Sequence, residues 1–333
     1  MMKTDGPDHI RIPARGRAVR VNGKGAVPEF HQPVMVEEVL RFFEGVEDGT
    51  VLDGTVGGGG HAEAILERHS RCRLVAVDRD RDAIQEAENR LKRFEGRVRF
   101  LTMRFDQALD DIEIREEGLE GALLDLGVSS WQLEAEHRGF AFRKGLSLDM
   151  RMSPDEPRTA ADLLNEEDES ELARLFRMYG EERRARRLAR LIVQRRRERP
   201  FRTSDDLVAA LTRALERAPA ARDKARTFQA LRIALNQELD ALANGLPRIR
   251  DALNPSGSLV VLSYHSLEDR LVKEAFRVWS RDCVCPPGLP VCSCRGKALG
   301  QPLTRGPLRP RSEEVRQNPR ARSALLRAWR KAA

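Results

Sequence analysis

Short runs of consecutive apolar residues punctuate this chain, among them "TVLD", "RLVAVD", "RVRFLTM" and "GALLDLG". Between them lie stretches whose apolar residues recur every three or four positions, such as "HQPVMVEEVLRFF" and "RDAIQEAENRLKRF". A bounded apolar run reads as a buried strand and the 3.6-residue period as an amphipathic helix. Their alternation predicts a doubly wound, mostly parallel α/β sheet. The rhythm stops at about Gln132. Up to Arg226 only helical patterns occur, in "ADLLNEEDESELARLFRMYG", "EERRARRLARLIVQRRRER" and "SDDLVAALTRALERA". Alternation then resumes with helix "ARTFQALRIALNQELDALANGLPRIRDAL", strand "GSLVVLSYHS" and helix "LEDRLVKEAFRVW", and the final "SALLRAWR" reads as an antiparallel edge strand. The pattern predicts an α/β domain built from 29–131 and 227–333, interrupted by an all-helical domain over 132–226. Residues 1–28 mix Gly, Pro and Arg without apolar periodicity and read as a flexible basic arm.

A hydrophobic fraction of 41% is ordinary for a globular protein, and no run approaches the eighteen or so apolar residues of a membrane span. The N-terminus lacks a signal-peptide core, so a reducing cytoplasmic setting is expected. A formal net charge of +7 favours a polyanionic partner.

The densest chemistry lies in "VLDGTVGGGGHAEAILE", Val51 to Glu67. Glycines after a strand let the backbone approach a ligand closely, and N–H groups at the next helix start offer donors. Gly57, Gly59 and Ala62 fit a Gly-x-Gly-x-x-Ala register, so a nicotinamide site must be weighed. Asp53 argues against it, because a carboxylate beside those donors would repel a pyrophosphate and would suit a cationic ligand such as S-adenosylmethionine. Asp78 closes the second strand, where a carboxylate can accept from both ribose hydroxyls. In "RFDQ", Phe105 is suited to lie against an adenine face and Asp106 to take a polar contact. Strand-end aspartates are also common as turn or cap residues; two of them flanking five glycines favour a cofactor.

The blocks "HQPVMVEEV", "DGTVGGGGH", "AVDRD", "LLDLGVSSWQL", "RGFAF", "LDMRM", "TFQALRIALNQEL", "LSYHSLEDR" and "NPRARSALLR" resemble, in order, those of the RsmH (MraW) family of small-subunit ribosomal RNA cytosine-N4 methyltransferases. The resemblance runs from about His31 to the C-terminus. It implies a class I S-adenosylmethionine-dependent methyltransferase (Rossmann-like) fold with a helical insertion. It also implies methyl transfer to N4 of one decoding-centre cytidine in 16S rRNA, within the small ribosomal subunit; whether the chain is a homodimer stays open. By the same resemblance the cofactor contacts fall on Gly59, Gly60, His61, Asp78, Phe105, Asp125 and Gln132. Of these, His61, Asp125 and Gln132 come mainly from the likeness. A non-catalytic RNA-binding assembly factor would carry the same blocks.

Cytosine N4 is a poor nucleophile, so an enzyme must hold it in line with the methyl group and accept a proton. Asp125, at a strand's C-terminal end, is one candidate; the Pro-Pro-aromatic element common beside such an acid is missing. His265, in "SYHSLEDR" with Ser266, Glu268 and Asp269, is the other. There Ser266 and Asp269 also stand at capping-box spacing. For Tyr264 and Trp131, base stacking competes with ordinary packing. RNA affinity would come from phosphate contacts: Ala185, Leu188, Ala189 and Ile192 form one helix face, leaving Arg183, Arg184, Arg187, Arg190 and Arg195 to Arg197 largely exposed. A solvated arginine face is the plain alternative. No metal is assigned to the reaction site. Cys283, Cys285, Cys292 and Cys294 flank a Pro-Gly turn, and could hold a structural zinc, remain free thiols or form a disulfide.

Overall fold

The computed structural model describes residues 33–129, 132–133, 135–286 and 291–333. The arm at 1–28, His31 and Trp131 lie outside these residues. Strands β1 (Asp48–Asp53), β2 (Arg71–Asp78), β3 (Val98–Thr102) and β4 (Leu119–Asp125) occur where apolar runs predict them. Helices α1 (Val36–Arg41), α2 (Gly60–Arg68), α3 (Arg81–Leu91), α4 (Phe105–Ala108) and α5 (Ile112–Glu117) lie around and between them. After the helical segment come β5 (Leu253–Ser263), β6 (Gly300–Pro302) and β7 (Leu325–Lys331).

The sheet order is β3-β2-β1-β4-β5-β7-β6. Strands β1 to β5 run parallel, and β7 runs antiparallel to both of its neighbours. This is the class I, Rossmann-like arrangement expected from the sequence. Strand order reverses between β1 and β4, so a crevice opens at their carboxyl ends, which is where open α/β sheets bind ligands. One expectation needs correcting: β7 is not the edge. The three-residue β6 pairs outside it, too short to carry any periodicity. Gly300 permits that pairing, since a Cβ there would sit 2.4 Å from the Trp329 ring and 2.1 Å from the Arg330 carbonyl oxygen. Trp329 is fully buried against Phe276 and Trp279.

Between β4 and β5 lie α6 (Ala160–Glu166), α7 (Glu169–Met178), α8 (Ala185–Arg196), α9 (Ser204–Leu215), α10 (Ala221–Asn236) and α11 (Glu238–Ala252). Helices α6 to α10 enclose an apolar core of their own, which includes Phe176, Leu188, Ile192 and Leu211 and reaches into α10 through Phe228 and Leu231. Two stretches that read as single helices are broken. Glu167 and Asp168 are extended between α6 and α7. Gln237, at φ 51°, turns the chain between α10 and α11. Both breaks occur within good helix formers, where tertiary packing overrides propensity. Asn236, just before the second break, donates to the Met150 carbonyl at 2.9 Å and accepts from the Met152 N–H at 2.8 Å. It therefore ties the end of α10 to the loop that follows β4.

Candidate functional site

A cavity of about 420 Å³ opens at the reversal of strand order, within the range of ligand pockets. Its walls come from the glycine turn, the ends of β2, β4 and β5, and the junction of α10 with α11. Gly60, His61, Asp78, Phe105, Asp125, Gln132, Tyr264 and His265 all face it.

The glycine turn, residues 54–59, joins the buried end of β1 to the start of α2. Gly57 has φ 50° and Gly59 φ 80°, left-handed values that a glycine adopts without steric cost. The Gly57 N–H donates to Asp78 Oδ2 at 3.0 Å, and the Asp80 N–H to Oδ1 at 2.9 Å. Burial pushes the Asp78 carboxyl up to about 6 against the pull of these two bonds. Each oxygen keeps a lone pair for a further donor. Gly59 does not line the cavity; a Cβ on it would meet Ala87 of α3 at 3.4 Å. Its place is in the packing of α2 on α3.

Two roles expected from the sequence change once the chain is folded: Asp53 and Asp106 both sit behind the cavity wall. Asp53 is 1% exposed and accepts the Thr55 N–H at 3.2 Å. Burial, with Asp125 and Asp78 nearby, raises its carboxyl to about 8 despite the Thr55 bond. It is a neutral buried acid, not a fixed charge facing a ligand. Asp106 is taken up by Arg104, whose Nε and Nη2 donate to it at 2.9 and 2.7 Å. Phe105 reaches the cavity because α11 has Gly245 beneath it, where a Cβ would lie 2.4 Å from the ring.

Asp125 is the meeting point of the two halves of the site. Its Oδ1 accepts from the Tyr264 hydroxyl at 2.8 Å, and its backbone N–H donates to Thr55 Oγ1 at 2.6 Å. Its Oδ2 lies 3.5 Å from His61 Nδ1. His61 Nε2 is 2.9 Å from the Val34 carbonyl oxygen, an acceptor only, so Nε2 carries the proton. Burial holds the imidazole down to about 4, so Nδ1 presents a lone pair. A lone pair and a carboxylate facing one gap select for a donor or a cation. The Tyr264 hydroxyl stays protonated, because burial first and the Asp125 carboxylate second push it well above its usual range.

The wall beyond Tyr264 is a charged network. The cap of α12 (Ser266–Trp279) is His265, not Ser266: His265 Nδ1 accepts the Glu268 N–H at 3.3 Å, and Glu268 Oε2 accepts the Tyr264 N–H at 2.8 Å. His265 Nε2 lies 3.0 Å from Glu268 Oε1 but off the line of a hydrogen bond, so it remains an unsatisfied buried atom. Burial raises the Glu268 carboxyl, yet His265, Arg232 and the Tyr264 N–H outweigh it and hold it below the usual range. Arg232 binds Glu238 with two bonds of 2.8 Å across the α10–α11 break. Arg232 and Glu238 also line the cavity.

Sequence reasoning missed Arg232 and Glu238 on the cavity wall, and the buried pair Asp80 and Arg138 behind it. A signal existed for Arg232. It stands four residues from Phe228 and from Asn236, on a buried helix stripe where an arginine needs a partner. Asp80 caps α3 and accepts from Gln132 Nε2 at 2.8 Å and Arg138 Nη2 at 2.7 Å. Gln132 is thereby aimed by Asp80, and nothing in the sequence pairs the two.

The MraW methylase family model matches residues 29–332. The ribosomal RNA small subunit methyltransferase H of Gemmatimonas aurantiaca is 48% identical over 317 residues, spanning 94% of this chain and 99% of that one. Its namesake from Heliobacterium mobile is 46% identical over 312 residues, spanning 91% and 99%. Among solved structures, an rRNA methylase from Streptococcus thermophilus superposes with a TM-score of 0.42 at 10% identity, over 90% of this chain and 96% of that one.

Proposed function

Since the chain belongs to the MraW methylase family, we propose that it methylates the exocyclic N4 of one cytidine in the decoding centre of 16S rRNA, with S-adenosylmethionine as donor. What supports this above all is Asp125, which touches His61 on the glycine-turn side and Tyr264 on the β5 side of one cavity. A methyl donor and an acceptor base would therefore meet beside a carboxylate. Bound S-adenosylmethionine supplies a methyl group on a cationic sulfur. Asp78 would accept from its ribose hydroxyls, Phe105 would pack against the adenine, and the paired acceptors of His61 and Asp125 would suit its positive end. Gly60 and Gln132 complete that half.

Transfer of that methyl group to N4 would require N4 to give up a proton. Asp125 takes it, held in position by the Tyr264 hydroxyl. His265, braced by Glu268, orients the base from the other wall. An unpaired or flipped-out cytidine is required to reach this depth. The free arginines on and beside α8 hold the surrounding phosphates.

The test uses small ribosomal subunits from a strain lacking the gene, incubated with labelled donor, followed by nucleoside mapping. N4-methylcytidine at a single decoding-centre position is the expected product. Asp125→Asn should lower turnover by about 10²- to 10⁴-fold, and should also weaken donor binding, because Asp125 faces the donor's positive end. Asp78→Ala should weaken donor binding by about 10- to 100-fold, the loss of a charged hydrogen-bond acceptor. Methylation at another atom, or full turnover by Asp125→Asn, would overturn the assignment.

A further inference from the structure

Beyond the last residues of α12 the chain makes a loop that no part of the methyl-transfer site uses. It contains Cys283, Cys285, Cys292 and Cys294. The four sulfurs converge, all lying within 4.8 Å of one another. Cys292 Sγ is 3.7 Å from Cys283 Sγ, 3.9 Å from Cys285 Sγ and 3.4 Å from Cys294 Sγ, while Cys283 and Cys294 are 3.9 Å apart. A tetrahedron of thiolates at the usual zinc–sulfur distance of about 2.3 Å has edges of about 3.8 Å. A disulfide would need about 2.05 Å, and none of these pairs approaches it.

Apolar burial does not account for the cluster. Cys283 and Cys292 are exposed, Cys285 and Cys294 half-buried. The two valines beside them point outward, Val291 at 76% exposure and Val284 at 39%. The described residues of the loop supply no apolar core of their own, and a loop without one needs a cross-link to hold one conformation. The rest of the loop is arranged around the same point. The Val284 N–H donates to Cys294 Sγ at 3.3 Å, as backbone amides do toward a coordinated thiolate. Arg295, next to the last cysteine, donates to the carbonyl oxygens of Val278 at 2.6 Å and Arg281 at 3.0 Å, and the Leu299 N–H donates to the Trp279 carbonyl at 2.8 Å. Both ends of the loop are thus anchored at the C-terminus of α12.

We infer that Cys283, Cys285, Cys292 and Cys294 bind one zinc ion as a closed, structural four-thiolate site. Four soft thiolates with no His or carboxylate among them select zinc over harder divalent ions. Four thiolates leave no open coordination position, so the ion is not a Lewis acid for the reaction. The net negative charge of such a site is offset by Arg281, Arg295 and Lys297, which adjoin the cysteines in sequence. The ion fastens the end of α12, the helix capped by His265 at the candidate site.

Full-length protein purified without an affinity tag should contain one zinc per chain by elemental analysis. Zinc K-edge absorption should show four sulfur neighbours at about 2.3 Å. A Cys292→Ser, Cys294→Ser double variant should fall from one zinc to none. Should that variant fail to fold, titrating the wild-type thiols with a mercurial reports the same site, one zinc being released as four thiols react. Absence of stoichiometric zinc, iron in its place, a mass showing two disulfides, or zinc retained by the variant would each overturn the inference.

Discussion

Asp53 places a carboxyl where solvent does not reach, and folding therefore changes its titration. Its pKa rises from 3.8 to about 8 through burial, so between those values the folded chain holds a proton the unfolded chain has released. Stability falls as pH climbs through that window. Asp78, raised to about 6, acts in the same direction. His61 opposes both: lowered from 6.5 to about 4, it makes stability rise across that interval. Above about pH 6.5 Asp53 alone of the three still titrates, at about 1.4 kcal/mol per pH unit. The wild type should lose about 2 kcal/mol between pH 6.5 and 8 from this group, and Asp53→Asn, which keeps an acceptor for Thr55, should lose little. Urea unfolding at the two pH values checks this, and an unchanged slope in the variant contradicts it. In the sequence Asp53 and Asp78 look alike, two acids closing two strands. Only the depth of each in the fold separates the wall residue from the one behind it.

Helix α8 and its flanks divide their arginines between two jobs. Arg195 donates to Asp206 Oδ1 at 2.5 Å with its guanidinium 4.7 Å from the centre of the Phe201 ring, and Arg196 donates to the carbonyl oxygens of Leu164 and Glu167. Arg184 caps the end of α9 at Leu215, and Arg187 pairs with Glu216. The expectation that Arg195 and Arg196 belong to the exposed face is therefore corrected; both are structural. Arg183, Arg186, Arg190 and Arg197 are exposed and have no side-chain partner among the described residues. Replacing Arg183, Arg190 and Arg197 with Glu should weaken RNA binding and flatten its salt dependence by about two to three units of log–log slope. Donor binding measured in parallel should not change. Arg196→Ala should instead lower the melting temperature, since it removes the donors to the end of α6. The apolar stripe of α8 was legible from period alone, because Ala185, Leu188, Ala189 and Ile192 are all fully buried. Which arginines are free was not, because their partners lie on α6 and α9.

Across the whole molecule, the alternation of strand and helix foretold the sheet. The sequence was silent where structure depends on distant pairing: β6, the turn at Gln237, and the wall formed by Arg232 and Glu238. Half of the wall of the candidate site could be read locally, since the glycine turn and Asp78 are set by the first two strands. The other half is contributed by β5 and the α10–α11 junction, whose chemistry appears only when β5 docks beside β4. Asp125 and Tyr264, joined by a 2.8 Å bond, are 139 positions apart in the chain. Helices built on local contacts form fast, whereas a parallel strand pair closed over so long a loop forms slowly. On dilution from denaturant, helical circular dichroism should therefore recover well before the protein can capture the methyl donor, in two separable kinetic phases. A chain caught between those phases would already have its helical segment folded and yet be unable to hold a substrate.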